Sequence, residues 1–141
     1  MEANGGVPKL LVSALVTRSD GTVLLTSHAP YWKWHLPDGD VRFGEKLSEA
    51  LRRSFNQDFG MTVRLPDEHP RFVTETVNKV RRLHAVVHHF RAEVVGDVSE
   101  IVGDDELRVM WFDPRTMTEH QPTLMLQSAA QVLRAVRDAV L

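Results

Sequence analysis

Residues 34–61, WHLPDGDVRFGEKLSEALRRSFNQDFGM, decide how this chain is to be read. The first part is broken by Pro37, Asp38 and Gly39. Together with Pro30, Tyr31 and Trp32 upstream, this predicts irregular, aromatic-rich backbone over 28–40. From residue 45 the pattern changes. Leu47, Ala50, Leu51 and Phe55 recur at helical spacing, so 45–59 reads as an amphipathic helix. Gly60 stands where a left-handed C′ residue ends such a helix. Ser54, Gln57 and Asp58 fall at i, i+3 and i+4 and therefore share one face.

Working outward, residues 9–17 (KLLVSALVT) are apolar and β-branched and predict a buried strand. The turn signal Ser19-Asp20-Gly21 leads to a second strand over 22–27, so the two predict a hairpin. Residues 71–80 and 83–95 read as two longer strands, with a turn at 79–82. An acidic connection spans 94–106, a short strand 109–112, and a C-terminal amphipathic helix 122–141. Strands, helix, strands, helix, without regular βαβ alternation, predict an α/β chain in which helices cover a mixed sheet. The expected organisation is a flexible N-terminus over 1–8 and a single domain over 9–141.

The quoted stretch resembles the box of the Nudix (MutT-like) superfamily, G-x5-E-x7-R-E-U-x-E-E-x-G-U with U aliphatic. Gly39, Glu45, Arg53, Gly60 and Met61 fall at the required spacings. Trp34, Leu36 and Pro37 resemble the family's W-x-L-P-G-G lead-in, with Asp38 in place of its first glycine. Asp105-Glu106 ahead of Trp111-Phe112 resembles another common family feature. The resemblance covers nearly the whole chain. It implies the Nudix fold, a mixed β-sheet sandwiched between helices, and hydrolysis of a diphosphate.

In the family the box helix carries glutamates that hold divalent metal, usually magnesium, against the substrate diphosphate. Magnesium needs hard oxygen ligands in near-octahedral array. The three glutamate positions here are Ser54, Gln57 and Asp58. Two charges are lost, and a hydroxyl or an amide oxygen brings none in exchange. The resemblance implies that Glu45 and Arg53 brace the loop and that the Gly39 main-chain oxygen contacts metal. It further implies that an acid from the 104–106 region assists. The candidate catalytic residues are therefore Glu45, Arg53, Asp58 and Glu106, and the candidate metal contacts Gly39, Asp58 and Glu106. Trp32, Arg42 and His35 are candidates for substrate binding, Trp32 because an aromatic there can stack on a base. Magnesium or manganese, weakly bound, is the implied cofactor. A small organic diphosphate or nucleotide is the implied ligand, and a homodimer is an assembly common in the family.

Other clusters carry blander readings. Glu49 stands four before Arg53, the spacing of an exposed ion pair. Lys79, Arg81 and Arg82 read as a solvated basic turn. His84 and His88 share a strand face but lie about 13 Å apart, and His88 and His89 face opposite ways. A metal site built from His28 or His35 with one of those three is geometrically possible. No phosphate-cradling or nucleophile-elbow motif occurs.

The bulk numbers set outer bounds. The 141 residues suit one core, and 43% hydrophobic with 26% charged residues is a globular balance. A net charge of −2 provides no global field for nucleic acid. The absence of cysteine excludes disulfides and thiolate metal sites. The N-terminus lacks a basic segment followed by an apolar one, and no apolar run spans a bilayer, so a cytoplasmic protein is expected. Two functions follow: a diphosphate hydrolase with weak or atypical metal dependence, or a catalytically inactive ligand-binding or protein-interaction module on the same fold. Different chemistry on a non-diphosphate ligand is a third.

Overall fold

The structure, a computed structural model, describes residues 7–118 and 125–138. In chain order its elements are β1 Lys9–Leu15, β2 Val23–His28, β3 Trp34–His35, β4 Asp38–Asp40, α1 Leu47–Phe59, β5 Thr62–Arg64, β6 Phe72–Asn78, β7 Leu83–Arg91, β8 Glu93–Val95, β9 Leu107–Phe112 and α2 Gln127–Arg137. The strands form three sheets, ordered β4-β1-β7-β6, β3-β2-β9 and β5-β8.

The apolar run in β1 is explained by burial on both faces. Val12, Ala14 and Val16 pack with Leu51, Phe55 and Phe90 in a core beneath α1. Leu15 points the other way, into a second core with Val23, Leu25, Ala129, Val132 and Leu133 beneath α2. With side chains alternating along the strand, one strand serves both helix layers. The mixed sheet between helices is the α/β/α arrangement expected from the sequence.

β1 pairs with β7 in parallel, from Lys9 opposite Ala85 to Leu15 opposite Arg91, and with β4 antiparallel, Val12 opposite Gly39. This corrects the expected β1–β2 hairpin. The turn closes at a single bridge, Thr17 to Val23, and the strands then enter different sheets. The reason lies in the edges: β1 lies between β7 and β4, and β2 between β9 and β3, so each strand has neighbours on both sides other than the other. The β6–β7 hairpin forms as expected, in register from Phe72 opposite His89 to Asn78 opposite Leu83, with Arg82 at positive φ in its turn.

The expected irregular segment 28–40 contains β3 and β4, two short strands that fold the loop before α1 back onto β2 and β1. Helix α1 runs two residues shorter at its start than the pattern suggested, and Gly60 ends it in the left-handed conformation as expected. Of the expected C-terminal helix, 127–137 is helical; residues 122–124 and 139–141 lie outside the described residues, as do residues 1–6 of the expected flexible N-terminus. No helix among the described residues is long and apolar enough to cross a membrane.

Candidate functional site

The loop between β4 and α1 is clamped by one guanidinium. Arg53 donates from Nε to Glu45 Oε2 at 2.7 Å and from a terminal nitrogen to Oε1 at 3.1 Å, a two-pronged pair. That terminal nitrogen also reaches the Asp40 carbonyl at 2.7 Å, and the other reaches Gln57 Oε1 at 3.1 Å. The Arg42 amide donates to Glu45 as well. The Arg53 hydrogen bond first, and the Arg42 amide second, hold the Glu45 carboxyl down at about 2. Arg53 is therefore committed to Glu45, and the expected Glu49–Arg53 pair is replaced. Glu49 instead turns back to accept from the Lys46 amide at the start of α1.

The loop lies flat against the helix at Gly39. A β-carbon built there would sit 2.4 Å from Ser54 Cβ and 2.5 Å from Ser54 Oγ. Only a residue without a side chain fits that approach. Ser54 is buried, and its hydroxyl donates back to the Leu51 carbonyl at 3.1 Å within its own helix.

Between this clamp and the β2–β3 turn opens a cavity of about 720 Å³. Asp58, Gln57 and Ser54 line it from α1. Lys9, Lys33, Arg42 and Arg81 line it from four separate segments. Asp58 is the acid on the helix wall. Burial raises its carboxyl above the ordinary range, and repulsion from Asp38 adds to this, while His28 and His35 pull it back. A carboxylate perturbed by desolvation within a cleft marks a candidate functional group.

His28, His35 and Asp38 converge on the same cavity. In the β2–β3 ladder Thr26 stands opposite His35. His28 lies two residues beyond Thr26 and so projects from the same face, diagonal to His35. The two rings stack with centroids 5.3 Å apart and planes 15° from parallel. His35 is buried; its Nδ1 donates to the Leu36 carbonyl at 2.7 Å and stands 3.5 Å from Asp38 Oδ2. One ligand atom from each of His28, His35 and Asp38 lies within 4.8 Å of the others. The sequence reading paired His28 or His35 with a histidine of β7 instead. Two of those are engaged elsewhere, His84 with Glu75 at 2.7 Å and His89 with Ser13 and Thr74 in the buried sheet, while His88 Nδ1 is buried without a hydrogen-bond partner among the described residues. The missed signal was the 28-to-35 spacing, which acquires meaning only once β3 folds back on β2.

Of the other expected site residues, Arg42 and His35 line the cavity, as does Gly39. Trp32 is not among its lining residues. It holds positive φ, and the Arg108 guanidinium sits 3.8 Å over its ring. Glu106 is exposed and also outside the lining, although its carbonyl accepts from the Ala29 amide at 2.9 Å, and Ala29 lies on the rim. Arg81 of the basic turn, expected to be merely solvated, faces the cavity beside Tyr31.

Comparison with known proteins agrees with this geometry. The NUDIX domain family model matches residues 7–136. A MutT NUDIX hydrolase from Burkholderia pseudomallei superposes with a TM-score of 0.72, 22% identical, covering 91% of this chain and 97% of that one. A MutT protein from Methanosarcina mazei Go1 gives 0.75 at 18% identity, covering 94% and 95%. A UDP-X diphosphatase gives 0.70 at 13% identity, covering 96% of this chain and 65% of that one. No curated protein matches the sequence.

Proposed function

This chain belongs to the Nudix family, and we propose that it hydrolyses the diphosphate link of a nucleoside-diphosphate derivative or another small organic diphosphate. The observation that carries the reading is Asp58, its carboxyl raised by desolvation, in a cavity also lined by Lys9, Lys33, Arg42 and Arg81. Lys33, Arg42 and Arg81 offer positive charge to a diphosphate; Lys9 is paired with Asp40 at 3.2 Å. Asp58, with its affinity for protons raised by burial, is suited to accept one from water. The water oxygen then bonds to phosphorus, the bridging P–O bond breaks, and the second phosphate leaves with the bridging oxygen. The Glu45–Arg53 pair positions the loop and does not react. The UDP-X diphosphatase among the similar structures is a diphosphatase by name and fits the same class.

The donors on α1 do not fit an ordinary magnesium ion. The Ser54 hydroxyl is turned to Leu51, and the Gln57 oxygen is held by Arg53. Asp58 alone is a poor substitute for three carboxylates around a hard, octahedral cation. Weak or atypical metal dependence is therefore part of the reading. Those same two hydrogen bonds favour the second reading, an inactive module that binds a ligand in the cavity without cleaving it.

The deciding test is a diphosphate panel at high protein concentration with Mg²⁺, Mn²⁺ or Zn²⁺, read by phosphorus NMR. Cleavage of a panel member, lost in Asp58→Asn, supports the hydrolase. Thermal stabilisation by nucleotides with no product under any condition overturns it in favour of the binding module.

A further inference from the structure

We propose that His28, His35 and Asp38 form a three-ligand site for a zinc-class divalent cation, displaced from the α1 face to the β2–β3 wall of the same cavity. Two observations converge. The ligand atoms of the three residues already lie within 4.8 Å of one another. Around an ion at about 2.1 Å from each ligand, tetrahedral ligands stand about 3.4 Å apart. Closing the cluster thus needs side-chain movements of little more than an ångström.

The second observation is the arrangement of His35. The residue is 9% exposed and held in the β2–β3 ladder. A carbonyl only accepts, so Nδ1 is the nitrogen that carries hydrogen toward Leu36. That contact sets the tautomer and leaves the lone pair on the other nitrogen, the device by which metal-binding histidines are oriented.

The donor chemistry selects the ion. Two imidazoles and one carboxylate suit zinc, cobalt or nickel. Magnesium, which takes oxygen and keeps its water, is disfavoured. The chain thereby recovers beside the helix a charge that Ser54 and Gln57 do not bring. The site shares its cavity with the proposed hydrolase centre, but its existence does not depend on turnover.

The test is binding without substrate. Chelator-stripped protein is titrated with Zn²⁺ by calorimetry, and with Co²⁺ by its visible ligand-field absorption. One saturable equivalent per chain is expected, unaffected by excess Mg²⁺. Removing one ligand in His28→Ala, an exposed position that leaves the core intact, should weaken binding about 100-fold. Asp38→Asn should act in the same direction. His84→Ala, whose ring is paired with Glu75 and does not line the cavity, should bind as the wild type. Absence of saturable binding, equal affinity in His28→Ala, or full competition by Mg²⁺ would each overturn the proposal. A protein that binds Zn²⁺ but cleaves nothing would leave this site standing and remove the hydrolase reading alone.

Discussion

Gly39 and Ser54 share a space that holds only one β-carbon: a methyl group on the glycine would come within 2.4 Å of Ser54 Cβ. Overfilling such a contact costs about 2 kcal/mol. Gly39→Ala is therefore expected to lower stability by about that amount, measured by urea unfolding. Ser54→Gly in the same chain should recover part of the loss, and a double-mutant cycle should show coupling of about 1 kcal/mol. Additive behaviour would mean that the loop and helix do not meet there.

Arg53 makes four contacts that a lysine cannot reproduce, because an ammonium has no planar fork. Arg53→Lys should lower the melting temperature by a few degrees. Since Glu45 titrates at about 2 in the folded protein, below its ordinary value of 4.5, its stabilising contribution is present above pH 4.5. It is lost as the pH falls from there toward 2. Glu45→Gln should remove this acid-dependent component from the stability profile.

His89 behaves in a different range. It is buried between Ser13 and Thr74, and burial first, then the neighbouring His88, lowers its value from 6.5 to about 4. The unfolded chain binds the proton more readily, so stability is full above 6.5 and falls as the pH drops toward 4. The loss amounts to about 3 kcal/mol at its limit. Denaturant titrations across this window should show the slope, and His89→Gln should flatten it.

Restoring carboxylates at 54 and 57 should raise Mg²⁺ affinity about tenfold, since ligand charge count tunes such sites. The two positions should not contribute equally. A carboxylate at 57 is drawn to Arg53, which already holds the Gln57 oxygen, so Ser54→Glu should carry more of the gain than Gln57→Glu. Calorimetry on both single variants and the pair checks this. No gain in the pair would show that the α1 face does not look onto a cation.

Local pattern was a good guide where a single element decides. The α1 stripe of Leu51 and Phe55, the Gly60 stop and the β6–β7 hairpin all follow from spacing and turn residues. So does the Glu45–Arg53 brace implied by the box. What could not be seen was which edges meet. The run in β1 announces burial but not that β4 and β7 flank it, so a nearby turn suggested a hairpin with β2. His28 and His35 lie too far apart for a local motif; their stacking depends on two hydrogen-bonded residue pairs between β2 and β3. Glu49 was misassigned because the i,i+4 rule ignores competition, and Arg53 has a better partner in Glu45.

The parallel seam between β1 and β7 joins residues 76 positions apart, as at Ser13 and His89. Closing so long a loop costs entropy before any reward arrives, and topologies of this kind assemble slowly. During synthesis β1 must wait, apolar and unsatisfied along one edge, until residues 85–91 have emerged. That delay is set by the connectivity rather than by any one residue, and a circular permutation bringing β1 next to β7 in the chain is the change that would shorten it.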